Sequence, residues 1–276
     1  MSSFLLAYMP IDSPIHRLNA VTKLIFFVVW SLVAMITFDT RILAVMLTIG
    51  CVIFAISRVP FRNVAIPVYL ILIFLFLNNV AIFLFSPQEG VEIYGSRTEW
   101  LHLVGRYTLT WEQMFYQMNV TLKYLTVLPM ALLFLVTTHP SEFASSLARI
   151  GVNYRIGYAL AIALRYIPDI QRDYRHIAFA QQTRGLDLSR KEKLGTRIKN
   201  AISIVWPLIL SSLDRIEKIS AAMELRGFGS QKKRTFYNSR PLATGDYIAL
   251  ALLAVLTFVA LYVTFHDGSR FYNPFQ

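Results

Sequence analysis

Two short words in the chain share residue types that could do chemistry on another protein. They are Ala180-Gln181-Gln182-Thr183-Arg184-Gly185-Leu186 and Ala222-Met223-Glu224-Leu225-Arg226-Gly227-Phe228. In each, an alanine lies four residues before an arginine, a glycine follows it, and an apolar residue comes next. The two arginines stand 42 residues apart. A guanidinium is planar, permanently charged and able to grip a carboxylate through two parallel N–H···O bonds. Held at the end of a rigid helix, it suits a carboxylate-lined groove on a partner. A single Arg-Gly ending would need no more than the ordinary preference for a cation near a helix C-terminus and a glycine just past it. Two matched copies point further.

The elements that carry these words can be read from spacing. Pro140 suits a first helical turn after Thr138 or His139, and Gly151 ends the short run Ser141–Ile150. Asn153 can cap a second helix that runs to about Arg184, with Gly185 as its stop. After the linker Asp187–Lys193, a third helix runs from about Leu194 to Arg226 and stops at Gly227. Steps of three and four along the second helix give Leu160, Ala163, Ile167, Ile170, Tyr174 and Ile177, then Gln181 and Arg184. The same steps along the third give Ile198, Ile202, Val205, Ile209, Ser212, Ile216, Ile219 and Met223, then Arg226. Each is one apolar helix face prepared for a partner. Arg172, Asp173, Arg215 and Lys218 fall off these stripes. Pro168 and Pro207 are expected to kink or break their helices.

Of the 276 residues, 55% are hydrophobic and 16% charged, which points to a membrane protein. Five apolar runs are expected to span: 22–38, 40–57, 65–86, 118–138 and 245–266. The stretches 156–168 and 201–213 are too short between charges and read as amphipathic. The net charge is +11, and residues 139–242 carry 18 Lys+Arg against 8 Asp+Glu, leaving 9 against 8 elsewhere. That concentration marks a cytoplasmic block, so the N-terminus is expected inside and the C-terminus outside. A nucleic-acid surface would interleave basic residues with stacking aromatics, whereas this block forms amphipathic helices. The fold class is therefore an all-α membrane protein of about five transmembrane helices with a cytoplasmic coupling region of three helices, two of them long. The division is 1–138 for four spans, 139–242 for the cytoplasmic domain and 243–276 for the last span.

Other candidates are weaker. Met1–Asn19 lacks the pattern of a cleavable signal. Cys51, the only cysteine, reads as a small buried hydrophobe. Lys123 is expected to snorkel to the outer surface, and Asn78 and Asn79 to hydrogen-bond between helices. Outer-loop aromatics Trp100, Tyr107 and Trp111 suit the headgroup layer. No phosphate-binding Gly-x-x-x-x-Gly-Lys-Ser/Thr motif occurs, and His16, His102, His139, His176 and His266 are scattered, with no ligand spacing. No Asp or Glu lies well inside an expected span, which weakens an ion-coupled carrier.

The paired Arg-Gly words resemble the signature of the transmembrane T component of energy-coupling factor transporters, ABC importers in the cobalt-transport-permease-like family. Asp12-Ser13-Pro14-Ile15-His16-Arg17-Leu18-Asn19, followed by Thr22-Lys23-Leu24, is similar to that family's opening. One departure is visible: the family often has Ala before each Arg, where this chain has Thr183 and Leu225. The resemblance implies a non-catalytic scaffold that couples two cytoplasmic ATPases, which carry ATP and Mg, to a membrane-embedded substrate-binding S component. It assigns Thr183, Arg184, Gly185, Leu225, Arg226 and Gly227 to ATPase docking. It assigns Leu160, Ala163, Ile167, Ile170, Ile202, Val205, Ile209 and Ile216 to the S component. The cargo would be a vitamin or a transition-metal ion such as cobalt or nickel. The competing classes are a self-sufficient secondary transporter or channel, which would transport alone, and a membrane enzyme, which would need a nucleophile and base.

Overall fold

The structure, a computed structural model, describes residues 11–104, 107–185, 194–230, 241–266 and 271–274. The linker Asp187–Lys193 lies outside them. The described residues are helical apart from one β-hairpin, as an all-α membrane protein requires. They separate into two compact units, one drawn from 1–139 with 240–276 and the other from 140–239.

The first unit is built around α6, Trp111–Thr137. It is by far the most enclosed of the three helices long and apolar enough to cross a membrane, the others being α4, Phe61–Phe85, and α10, Thr244–His266. Two shorter apolar helices, α2 (Ala20–Ile36) and α3 (Thr40–Ile56), pack on α6 as a hairpin. Each has 17 residues, or about 25 Å of helix against a hydrocarbon core of about 30 Å. Their starts are capped by the Asn19 and Asp39 side chains, which accept from the backbone N–H of Val21 and Arg41. The shared core includes Trp30, Leu43, Met46 and Leu133. Trp30 is fully buried and donates its indole N–H to the Thr126 carbonyl at 3.0 Å.

Buried charges in this unit settle at helix ends. The Lys23 ammonium, on the first turn of α2, donates to the carbonyl of Thr137, the last residue of α6, at 2.8 Å. It also donates to His16 at the end of the short helix α1, Pro14–Arg17, at 3.2 Å. Lys123, on α6, donates to the Met35 carbonyl in the last turn of α2 at 2.8 Å. It also lies 3.1 Å from the centre of the Phe38 ring. The two helices thus cap one another with cations, where the unpaired carbonyls and the negative end of the helix dipole favour them. Lys123 does not snorkel: it is 6% exposed, because the α2 terminus offers it a better partner than distant solvent does. At the positive ends, Asp246 of α10 is 2% exposed and accepts from Asn19 N–H and Ala243 N–H, both at 2.8 Å. It joins the beginnings of α2 and α10.

The segment between α4 and α6, expected as an outer loop, is more structured than an anchoring segment. α6 starts at Trp111, seven residues before the expected span, and its extra turns support a cap. The cap comprises α5 (Glu89–Tyr94) and the antiparallel strands β1 (Glu99–Val104) and β2 (Tyr107–Thr110). Glu112 is fully buried and accepts from Ser96 Oγ and Thr98 N–H, each at 3.0 Å. Gln113 accepts from Gly90 N–H at 2.8 Å and donates to the Ser86 carbonyl at 3.1 Å. From the far end of the chain, Phe271 packs against the Phe38 ring at a tilt and Asn273 donates to the Tyr94 carbonyl.

Two further expectations divide. Asn79 donates to Thr121 Oγ1 at 2.9 Å across α4 and α6, an interhelical bond as expected. The Asn78 Oδ1 has no hydrogen-bond partner among the described residues. Cys51 is exposed rather than buried, because α3 turns that face away from α6.

Replacing Lys23 or Lys123 with Met keeps the stem and removes the cap, stranding a buried carbonyl. Each change is expected to cost about 1–3 kcal/mol, measured as a lower unfolding midpoint in detergent. An unchanged midpoint for both would refute reciprocal capping. A Cβ added at Gly90 would lie 2.5 Å from the Glu112 carbonyl oxygen, closer than any backbone can accept. Gly90→Ala is therefore expected to lower the midpoint too, while Gly195→Ala, whose Cβ would meet open space, should not.

Candidate functional site

The second unit holds α7 (Pro140–Arg149), α8 (Tyr154–Thr183) and α9 (Leu194–Leu225). Asn153 caps α8, its side chain accepting from Arg155 N–H. Neither Pro168 nor Pro207 breaks its helix: both lie within uninterrupted helical runs. At 30 and 32 residues, α8 and α9 are each about 45–48 Å long.

Three contacts fix how α8 and α9 run. Tyr158 packs on Phe228 with ring centres 4.8 Å apart. Asp173 accepts from the Arg215 guanidinium at 2.7 Å, and Gln181 reaches the Ser203 carbonyl at 3.5 Å. As the α8 number rises, the α9 number falls, so the pair is antiparallel. The two Arg-Gly words, each at the C-terminal end of its helix, therefore lie at opposite ends of the pair. Counting helical rise along α8 puts them roughly 35 Å apart.

The two tips share a left-handed glycine and the inner bond of the turn. Gly185 and Gly227 have φ of 88° and 64°, left-handed conformations that a side chain would strain. At the α9 end, Gly227 N–H bonds the Glu224 carbonyl and Phe228 N–H bonds the Met223 carbonyl, both at 2.9 Å. These are the two bonds of a Schellman turn. At the α8 end, Gly185 N–H bonds the Gln182 carbonyl at 2.9 Å, the matching inner bond. The glycine turns the chain away immediately after the arginine, so Arg184 and Arg226 stand exposed at the helix tips. Thr183 and Leu225 flank them and are also exposed. Thr183 donates its hydroxyl back to the Ala180 carbonyl at 2.8 Å, and Leu225 is 91% exposed.

The α9 tip has a brace that the motif does not reveal. Phe228 sits against Tyr154 and Tyr158 at the start of α8, and Arg155 donates to the Gly229 carbonyl at 2.9 Å. These partners are about 70 residues away in sequence, so no local spacing points to them. The antiparallel pairing is the missing information.

The apolar stripes serve two directions. Ala163, Ile170 and Ile216 line a cleft of about 380 Å³ between α8 and α9, with Ile219 and Met223 further along it. Ile167, Ile202, Val205 and Ile209 are exposed away from the cleft, Ile170 and Ile216 are exposed at its rim, and Leu160 is half-buried. Trp206, Leu210 and Leu213 widen the exposed α9 face beyond the single stripe. Asp173 and Arg215, off the stripes by count, meet in the seam itself, where Arg215 also faces the Tyr166 ring. Among the described residues, no three His, Cys, Asp or Glu side chains gather as a metal site would require.

Residues 12–237 match the cobalt transport protein family, CbiQ. Over 271 residues the chain is 24% identical to the energy-coupling factor transporter transmembrane protein EcfT of Staphylococcus aureus, covering 92% of this chain and 96% of that protein. It is 27% identical to EcfT of Bacillus selenitireducens, covering 95% and 97%. It is 25% identical to EcfT of Bacillus subtilis, covering 91% and 95%. Helices that span, a basic unit with two Arg-Gly tips and these matches agree: the chain is a multi-pass membrane transport protein of the CbiQ cobalt transport protein family.

Proposed function

We propose that this chain is the coupling subunit of an energy-coupling factor importer. It transmits ATP-driven motion from two cytoplasmic ATPases to a membrane-embedded S component that carries a vitamin or a transition-metal ion. The observation that carries the reading is the pair of Arg-Gly tips, each turned by a left-handed glycine, at opposite ends of one antiparallel helix pair. One subunit with two equivalent, widely separated cationic tips suits a partner present in two copies. Arg184, with Thr183 and Gly185, docks on one ATPase, and Arg226, with Leu225 and Gly227, on the other.

Ile167, Ile202, Val205 and Ile209, exposed and outside the cleft, suit the S component, as does the half-buried Leu160. Ala163, Ile170 and Ile216 border the cleft where the two helices face one another, so they would sense any change in their spacing. The N-terminus and the basic unit lie on the cytoplasmic side and the C-terminus outside, following the positive charge. ATP and Mg belong to the ATPases, and the S component selects the cargo. A self-sufficient carrier would use ionisable groups in its membrane path. The buried lysines of the membrane unit are instead committed to helix-end carbonyls.

Arg184→Glu and Arg226→Glu are each expected to weaken ATPase recovery in co-purification and to reduce uptake in cells. Loss of a desolvated Arg–carboxylate contact costs about 2–5 kcal/mol. Arg→Lys should give an intermediate loss, because an ammonium cannot make the bidentate contact. Full ATPase recovery and uptake by the Arg184→Glu/Arg226→Glu double variant would overturn the assignment.

A further inference from the structure

The α9 tip is held from outside its own helix. Gly227 and Gly229 both take left-handed φ, 64° and 92°, and the turn they make carries Phe228 to the start of α8. Phe228 meets Tyr158 at 4.8 Å and Tyr154 at 5.9 Å between ring centres, both within the range of favourable aromatic pairs. Arg155 donates to the Gly229 carbonyl at 2.9 Å. We infer that Arg155 and Tyr158 are positioning residues for docking at Arg226. They hold the last turn of α9 against the first turns of α8, so that the guanidinium is presented to its partner in one orientation. This rests on the ATPase-docking reading of the two tips.

The place of Arg155 argues for the role. It is the second residue of α8, where a cation opposes the positive end of that helix's own dipole. The other helix offsets this. α9 ends at Leu225, and Arg155 reaches the chain just past that end, where the dipole and the last carbonyls favour a cation. Glycine caps commonly bring the residue after the glycine against the last turns of the same helix. Here that residue, Phe228, packs on a neighbouring helix. Its N–H bonds the Met223 carbonyl at 2.9 Å, and Met223, Phe228, Tyr158 and Arg155 all line the α8–α9 cleft. Helix ends fray when nothing ties them down. A frayed last turn would spread Arg226 over many orientations, and a partner would then have to order it on binding. The brace does that ordering in advance, two residues beyond Arg226. The Arg184 tip is roughly 35 Å away, out of reach of both positioning residues.

The test uses the full chain in a Cys51→Ser background. Spin labels on Leu225→Cys and Phe179→Cys, roughly 25 Å apart by helical rise, report the α9 tip. Labels on Thr183→Cys and Leu213→Cys report the other end of the pair. The distance distribution between 225 and 179 is expected to be at least twice as wide in Arg155→Ala/Tyr158→Ala as in the parent, with that between 183 and 213 unchanged. Tyr158→Phe keeps the ring and is expected to keep the narrow distribution. Crosslinking from a single cysteine to co-expressed ATPase subunits then reads docking. The double variant should lower capture from 225 at least fivefold and capture from 183 less than twofold, and Tyr158→Phe should restore capture from 225. An unchanged distribution between 225 and 179, full capture from 225 by the double variant, or equal losses from 225 and 183 would each overturn the positioning role alone. No capture from either position of the parent chain would overturn the docking reading itself, and the positioning role with it.

Discussion

Every α-helix ends with four carbonyl groups that have no partner within the helix, and inside a membrane no water is at hand to supply one. Much of this protein can be understood as answers to that constraint. In the membrane unit, α2 and α6 run antiparallel and each lends a buried lysine to the end of the other. The buried Asp246 does the complementary service for N–H groups at the starts of α2 and α10. Such contacts lock the helices in register, since sliding one by a turn would strand both a charge and a carbonyl. They also make the interior costly to rearrange.

In the second unit the same constraint is met differently, and the difference creates the site. The ends of α8 and α9 face solvent, and a left-handed glycine folds the chain back to satisfy their last carbonyls. No buried cation is needed, and the arginine before each glycine is exposed at the tip. The antiparallel pairing then separates the two tips by most of a helix length. A load applied at both ends of such a pair acts on the seam where Asp173 meets Arg215. The brace of Phe228 on Tyr154 and Tyr158 stiffens the α9 end.

The helices of this protein were largely legible before folding because strong punctuation bounds them. Asn153, Gly151, Gly185 and Gly227 set the ends of α7, α8 and α9 to within a residue or two. Apolar runs located all five apolar helices, but α4 and α6 begin four and seven residues before the expected spans, and α2 and α3 are shorter than the three helices long enough to cross. What periodicity could not supply was the neighbour on each face. Counting by threes and fours placed Ala163 and Ile170 on one stripe with Ile167, yet the first two border the α8–α9 cleft and the third does not. It left Asp173 and Arg215 off the stripes, although they pair across the seam. Lys123 read as a snorkelling residue because sequence does not reveal that the end of α2 lies beside it. The cap on α6 was hidden for the same reason: Gln113 binds Gly90 and Ser86 through contacts that no local rule anticipates.

The central claim is that one antiparallel pair addresses two ATPases, one from each end. The most direct measurement is site-specific crosslinking in a Cys51→Ser background, with a single cysteine at position 183 or at position 225 and two distinguishable ATPase subunits. The account predicts that each position captures an ATPase and that a chain carrying both cysteines captures two copies at once. Capture of a single ATPase by both positions, or of none by either in an assembled complex, would contradict it.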